Sequence, residues 1–488
     1  MRRPRPNQRL LCVGVIAALG WAALPVAASA TGPLSISCAV AAGVTTCMGS
    51  TIESSGFTSH FRIDVPSNWN KTLALYSHGY SFTPILPADV VDVGDPTTGA
   101  WLLSHGYALA GSSYASSGWA LEQAFQDQIA LLDVFAAKFG KPSRTIAWGH
   151  SLGGMITAGL VQLFPNRFTA ALPMCGVVAG GPGVWNQGLD SEFAFETLQA
   201  PGAFKLVNFT AADVGAEFGK AAGALVAAQA TPAGRARTAL SAALADVPGW
   251  FDPASPEPAP TDFAAQEANQ VQWDLHPDFL FGFFGRFELE TRAGGNFSWN
   301  TGVDYRTQLA RSTDRAEVVA LYEAAGLDLA KDLDTLNDAP RIAADPKAVS
   351  YVTKFITYNG DIDMPVLAMH TTGDGLVEVT DEQAYASVVA SAGDSSLLRQ
   401  VFVHRAGHCT FTPAETITAF QTLVERLDKG HWQGTDPVDM NADAMGLGSA
   451  ANVAPASFIH FHPGQFLRRF DIRDVEDRGG DQNGDNNT

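Results

Sequence analysis

The sequence predicts an α/β protein: a mostly parallel central sheet with helices on both faces, into which a mainly helical segment is inserted. Three observations carry that expectation. First, Gly149-His150-Ser151-Leu152-Gly153 reads G-x-S-x-G between a short apolar run, Arg144–Trp148, and a run from Met155 to Phe164 with apolar residues at helical spacing, ended by Pro165. Second, strand-like and helix-like runs alternate on either side of it, which is the pattern of parallel strands joined by crossover helices. Third, the alternation stops at about Gly180 and resumes only near Pro365, with Ala-rich helical stretches between.

Taken in order, residues 1–30 read as a secretory signal peptide. Arg2, Arg3, Arg5 and Arg9 precede an apolar run from Leu10 to about Ala28, and Ala28-Ser29-Ala30 is an A-x-A cleavage site. Loose alternation from Thr45 to Val65, broken at Ser54-Ser55-Gly56, predicts an antiparallel hairpin. Leu73–Ser77 is a buried strand that ends in His78-Gly79-Tyr80, and Tyr107–Ser112 is another. The loop Ser113–Trp119 leads from that strand to a helix from about Leu121 to Phe139, which puts Tyr114 and Trp119 where a strand end meets a ligand cleft. Phe168–Cys175 is the strand after the G-x-S-x-G helix.

The inserted segment reads as helices at Ala211–Ala230 and Arg235–Ala245 and a Pro-rich connector at 253–260. Its most apolar part, Phe279–Phe287, holds five phenylalanines, for which core packing is the favoured reading over lining a binding pocket. Strands return at Pro365–His370 and Leu398–His404, with a last amphipathic helix from about Pro413 to Leu427. The domain division is therefore 1–30 leader, 31–180 first part of the core, 181–359 helical insertion, 360–430 second part of the core, 431–472 C-terminal extension, and 473–488 polar, acidic, disordered tail. Asp481–Asp485 within that tail lacks the distal glutamate of a calcium loop.

Composition narrows the partners. With 31 Lys+Arg against 50 Asp+Glu the formal charge is −19, and loss of the leader makes it more negative still. That balance argues against nucleic acid or an anionic membrane surface as partner. No run outside the leader is long enough to span a bilayer. Five cysteines fall to four once Cys12 leaves with the leader, and an even number in an oxidising compartment predicts two disulfides. Cys38 and Cys47 flank a Gly-containing turn, which leaves Cys175 for Cys409; two unpaired buried thiols are the alternative. Oligomeric state is not legible.

A serine at a strand-to-helix turn is a weak nucleophile until a base takes its proton and a carboxylate orients that base. Ser151, Asp374 in Thr372-Gly373-Asp374, and His408 in Ala406-Gly407-His408 each follow a predicted strand, in the order Ser, acid, His. Asp361 and Asp363 precede their strand and belong at the opposite sheet edge. His78, His150 and His404 are committed to a turn, to the serine motif and to a strand.

Together, Ser77-His78-Gly79-Tyr80, Gly149–Gly154, Thr372-Gly373-Asp374 and Ala406-Gly407-His408 resemble the α/β-hydrolase family over about residues 45–180 and 360–430. The resemblance implies Ser151 as nucleophile, His408 as general base and then acid, Asp374 as its partner, and the backbone N–H groups of Tyr80 and Leu152 as oxyanion donors. It implies no metal or organic cofactor. The function expected is a secreted carboxylic ester hydrolase acting on a polymeric, plant-wall or lipid ester. The alternatives are a serine aminopeptidase of the same fold, with Glu288 and Glu290 receiving the substrate's α-ammonium, and a binding protein that keeps the fold without the chemistry.

Overall fold

A computed structural model describes residues 35–52 and 58–470. The leader, the Ser54-Ser55-Gly56 break and the tail with Asp481–Asp485 lie outside these residues. Ten strands occur among the described residues: β1 (Ser35–Ala41), β2 (Val44–Ile52), β3 (Thr58–Pro66), β4 (Thr72–Ser77), β5 (Ala108–Ser112), β6 (Arg144–His150), β7 (Ala170–Met174), β8 (Val366–Gly373), β9 (Leu398–Ala406) and β10 (Phe458–Ile459). They form one sheet in the order β1-β2-β3-β5-β4-β6-β7-β8-β9-β10. From β5 to β9 all neighbours are parallel. The edges are antiparallel, with β1, β2 and β3 on one side and β10 on the other.

The central strands read as continuous apolar runs because both faces are covered. All six residues of β4 are buried, and their side chains divide by the two-residue period of a strand. Leu73 and Leu75 join one core with Phe125, Ala147 and Met155, under the helices Leu121–Phe139 and Leu152–Leu163. Ala74 and Tyr76 join another with Trp148, Met369 and Phe420 on the opposite face. The flanking helices before the insertion are α1 (Pro96–Ser104), α2 (Leu121–Phe139) and α3 (Leu152–Leu163). The α2 bounds are those the apolar periodicity predicts.

Between β7 and β8 the chain forms α4 (Gly181–Gln199), α5 (Val214–Ala228), α6 (Pro232–Ala243), α7 (Phe263–Trp273), α8 (Arg286–Ala293), α9 (Tyr305–Arg311), α10 (Arg315–Ala325), α11 (Leu329–Asp338) and α12 (Pro346–Ile356). Two π-helical stretches, Asp274–Asp278 and Phe281–Gly285, link α7 to α8. The insertion has its own core, in which Phe193, Leu240, Tyr305 and Leu336 pack with Phe279 and Phe283 of the Phe-rich run. Core packing thus accounts for much of that run, while Phe281 faces elsewhere.

After β8 come α13 (Asp381–Ala392), α14 (Pro413–Lys429) and α15 (Pro437–Gly446). Thr412 and Glu415 close a reciprocal capping box at the start of α14, a motif whose cap residue is worth about 1 kcal/mol. The stretch beyond Gly430, which reads weakly as sequence, supplies α15 and β10 and so extends the sheet, with Phe458 opposite Val403. Cys38 and Cys47 are register partners on β1 and β2, joined by a disulfide with Cα atoms 4.1 Å apart. Cys175 is joined to Cys409, Cα to Cα 5.5 Å. No helix among the described residues is long and apolar enough to cross a membrane.

Candidate active site

The serine turn is built by the absence of side chains around it. A Cβ on Gly149 would lie 2.4 Å from Ser77 O, and one on Gly153 only 1.9 Å from it. Only glycine therefore lets β6, β4 and α3 approach this closely, and the chain between them must fold sharply. Ser151 takes φ 59°, ψ −124° at that point, a conformation costly to any residue with a Cβ and found where function holds it in place. The same strain recurs along one edge of the sheet: Tyr114 after β5, Cys175 after β7 and Cys409 after β9 also have positive φ.

Three side chains from the ends of three strands meet there. Ser151 Oγ lies 2.8 Å from His408 Nε2, and His408 Nδ1 lies 2.8 Å from Asp374 Oδ2. The second oxygen of Asp374 accepts the backbone N–H groups of Leu376 and Val377, each at 3.1 Å. A carboxylate so fixed accepts the Nδ1 proton of His408, which leaves Nε2 as the acceptor facing the serine hydroxyl. Asp374, His408 and Cys409 are the only group of metal-type donors that converges among the described residues, and this hydrogen-bond chain accounts for the first two. Asp361 and Asp363 are exposed and precede β8, whereas Asp374 follows it.

The loop bearing His408 is tied at several points. Thr371 Oγ1 donates to Gly407 O at 2.9 Å, Arg405 donates to Thr410 O at 2.8 Å, and Arg405 forms a two-nitrogen pair with Glu415. The disulfide from Cys409 to Cys175 adds a covalent tie beside the base.

Behind Asp374 sits a group that the sequence reading leaves as an ordinary strand residue. His370, buried on β8, donates from Nδ1 to Glu382 Oε1 at 3.2 Å and from Nε2 to Val377 O at 2.9 Å, with Asp374 Oδ2 at 3.7 Å. Both partners are acceptors, so both ring nitrogens carry protons. Burial alone would lower the pKa of this ring, but Glu382 and Asp374 outweigh it and raise the pKa to about 9. A positive charge thus lies against the carboxylate that orients His408.

Tyr80 and Leu152 line the cavity that opens beside Ser151. The loop of Tyr80 is set from below. His78 donates from Nδ1 to Gly79 O at 2.6 Å and stacks on Tyr114 at 3.9 Å, and the Tyr114 hydroxyl donates to His78 O at 3.2 Å. Tyr114 is therefore buried support for this loop, with 4% exposure, and does not line the cavity. Its expected role as a substrate contact gives way to this one, because the stacking on His78 and the bond to His78 O hold the ring in the core. Trp119 does line the cavity. It meets Tyr80 edge-on at 5.3 Å and Trp185 at 5.6 Å, while Phe281 meets Tyr80 at 5.1 Å.

The carboxylates expected to face a substrate amine are committed elsewhere. Glu288 accepts the Trp119 backbone N–H and pairs with Arg292, and Glu290 accepts the N–H groups of Asn208 and Phe209. Other acids take their place on the wall: Glu192 from α4, Asp274 and Asp278 from the first π-helical stretch, and Glu378 just after Asp374. Burial raises Glu192 and Asp274 to about 7 and Asp278 and Glu378 well above the carboxylate range; neighbouring acids add to the rise for all four. The cavity volume is about 110 Å³.

These shifts set a stability profile. Carboxyls whose folded pKa is raised hold protons that the unfolded chain has already released, so stability falls as pH climbs through about 7 for Glu192 and Asp274 and about 8 for Asp381. His370, raised to about 9, contributes a loss of the same sign between about pH 6.5 and 9. His150, lowered by burial to about 4, acts the other way, but only below the ordinary histidine range. The melting temperature is therefore expected to fall steadily between about pH 6.5 and 9. Calorimetry across that range checks it, and a rising melting temperature would contradict the buried-acid account.

A parallel-centred sheet with a glycine-flanked serine turn and a Ser–His–Asp hydrogen-bond chain at its edge defines a serine hydrolase of the α/β-hydrolase fold. Residues 104–180 match the model of the prolyl oligopeptidase family, Peptidase_S9. An o-phthalyl amidase of Xanthobacter agilis is 30% identical over 417 residues, which cover 79% of this chain and 89% of that protein. The chain belongs to the α/β-hydrolase superfamily, in one family with that amidase. Among solved structures, the cell-wall-degrading esterase LipA of Xanthomonas oryzae covers 79% of the chain and 89% of its own, at 14% identity and TM-score 0.37. Feruloyl esterase B of Aspergillus oryzae covers 81% and 83%, at 13% identity and TM-score 0.40.

Proposed function

We propose that the protein is a secreted serine hydrolase that cleaves carboxylic esters through Ser151, His408 and Asp374. The observation that carries this reading is the unbroken chain from Ser151 Oγ through both nitrogens of His408 to Asp374, at 2.8 Å in each link, with Ser151 on the wall of a cavity. Ser151 attacks the carbonyl carbon while His408 Nε2 takes its proton, and Asp374 stabilises the imidazolium that forms. The N–H groups of Tyr80 and Leu152 receive the tetrahedral oxyanion. His408 then returns the proton to the leaving alcohol, and water repeats the cycle on the acyl-enzyme to release acid and free Ser151.

The helices of 181–359 act as a cap: the cavity is walled by Glu192, Phe281 and Arg286 from that segment as well as by Ser151 and Leu152 from the core. A cavity of roughly 150 Å³ holds benzene, so about 110 Å³ suits a compact acyl group better than a long chain. The A-x-A leader and the two disulfides support export to an oxidising compartment.

Amide cleavage is the second reading, favoured by the 30% identity to a protein named o-phthalyl amidase. Kinetics on matched p-nitrophenyl esters and p-nitroanilides separate the two. Faster turnover of the ester at every acyl group is expected, and a kcat/KM for the anilide equal to that of its ester would reverse the order.

The disulfide from Cys175 to Cys409 serves in this reading to hold the base over the nucleophile. Cys409→Ser is expected to lower stability by about 2–4 kcal/mol. It is also expected to lower kcat, since a catalytic group displaced by about 1 Å costs on the order of a hundredfold. Calorimetry with steady-state kinetics checks both, and an unchanged rate would limit the bridge to stability.

A further inference from the structure

The loop from Ser113 to Trp119 is held from two sides. Its first half belongs to the core: the Ser113 N–H donates to His60 O at 2.8 Å and the Ala115 N–H to Asp127 Oδ2 at 2.7 Å. Its second half is held by the inserted helices. Arg292 Nη2 donates to Ser117 O at 2.6 Å, Glu288 Oε2 accepts the Trp119 N–H at 3.1 Å, and the Trp119 indole donates to Gly285 O at 3.1 Å. Glu288 and Arg292 pair with each other one turn apart on α8, so a carboxylate and a guanidinium side by side meet an N–H and a carbonyl of one short loop. Gly118, between those two groups, has φ 73°, and a Cβ there would stand 2.4 Å from Glu288 Oε1. Only glycine takes this conformation freely and leaves room for the carboxylate to lie on the loop.

The same loop touches the segment that carries Tyr80. The Gly118 N–H donates to Ser81 O at 2.7 Å, and the Trp119 ring meets the Tyr80 ring edge-on at 5.3 Å. Gly79-Tyr80-Ser81 in turn stands against the nucleophile, for a Cβ on Gly79 would lie 3.5 Å from Ser151 Cβ. A continuous path of bonds therefore runs from α8 through Trp119 and Gly118 to the segment whose Tyr80 N–H is assigned to the oxyanion. His78 and Tyr114 fix that segment from below, and Gly118 fixes it from the side. The tie matters because a backbone donor serves only within about 2.7–3.1 Å of the oxyanion, and loss of one donor costs about 10²–10³ in kcat.

We propose that Glu288 is a positioning residue for this donor: by holding the Trp119 N–H, with Arg292 on Ser117, it fixes Gly118 against Ser81 and so sets where the Tyr80 N–H points. The role rests on the hydrolase reading, and it gives the inserted helices a share in the rate as well as in the cavity wall. Glu288→Ala is expected to lower kcat on p-nitrophenyl acetate about tenfold or more while KM stays within about threefold, since the bond that suffers is made to the oxyanion and not to the bound ester. Trifluoroacetophenone, whose carbonyl carbon takes up Ser151 Oγ as a tetrahedral adduct, is expected to lose affinity by the same factor as kcat/KM. Glu288→Gln keeps an oxygen for the Trp119 N–H and is expected to hold kcat within about threefold of wild type. Gly118→Ala, whose Cβ would displace the carboxylate, is expected to reproduce the Glu288→Ala pattern and serves in its place if that variant does not fold. An unchanged kcat in Glu288→Ala or Gly118→Ala would overturn the role. So would a fall in kcat with unchanged inhibitor affinity, which marks a smaller fraction of folded enzyme, or a Glu288→Gln variant as slow as Glu288→Ala. Wild-type protein that turns over no ester and takes up no fluorophosphonate would overturn the hydrolase reading, and this role with it.

Discussion

Ser151→Ala is expected to reduce kcat by about 10⁴ or more, with the fold unchanged, and His408→Ala to cost a similar factor, because nucleophile and base act as one unit. Removal of the hydroxyl touches little else. The strain at φ 59° is set by the backbone approach of Gly149 and Gly153 to Ser77 O, which alanine leaves in place. Circular dichroism and melting temperature should therefore match wild type, while steady-state turnover of a p-nitrophenyl ester and labelling by a fluorophosphonate probe both vanish. Labelling that persists in Ser151→Ala would move the nucleophile elsewhere.

Asp374→Asn is expected to lower kcat on the order of 10⁴. Asp374 Oδ1 receives two backbone N–H groups, so the carboxamide can place only its oxygen there without a donor clash. The amide nitrogen then faces His408 Nδ1 in place of Oδ2 and donates to it. His408 is driven to the tautomer with its proton on Nε2, pointing at Ser151, and it can no longer accept the serine proton. The charge that supports the imidazolium is lost as well, and His370 is left facing one carboxylate in place of two. Asp361→Asn and Asp363→Asn, at exposed positions before β8, are expected to stay within about twofold of wild type. Parallel kinetics on the three variants decide the matter, since near-normal turnover by Asp374→Asn with loss in either control would reassign the acid.

The triad candidates were readable because each carries a local signature: a strand, then glycine or a short turn, then the reactive residue. Such signatures survive without knowledge of the tertiary fold, and so did the helix Leu121–Phe139, whose periodicity is long and strong. The cavity wall was not readable. Asp274 and Asp278 sit on a π-helical stretch, and Glu192 on α4 faces the cavity only because a Gly282 without a side chain lets its carboxyl lie against the backbone there. That placement depends on how the inserted helices dock over the sheet, which no window of sequence encodes. Glu288 and Glu290 drew attention by their closeness to the phenylalanines, but α8 turns them to the Trp119 and Phe209 backbones while Arg286 takes the cavity. Tyr114 stands where a strand end serves either a cleft or a core, and its ring packs into the core against His78. For His370 a signal was present, a histidine four residues before the acid on a buried strand, but its charge follows from Glu382, which lies on α13.

The bond between Cys175 and Cys409 also has a topological meaning. The two residues are 234 positions apart, and every helix from α4 to α12 lies between them, as do β8, Asp374 and β9. The inserted helices, Asp374 and His408 are thus part of one covalent ring, closed beside His408. A peptide bond hydrolysed anywhere in that ring opens the circle without parting the molecule, so a nicked chain keeps its nucleophile, acid and base on a single connected polymer. The Pro-rich connector at 253–260 lies within that ring and is therefore a place where a cut is survivable.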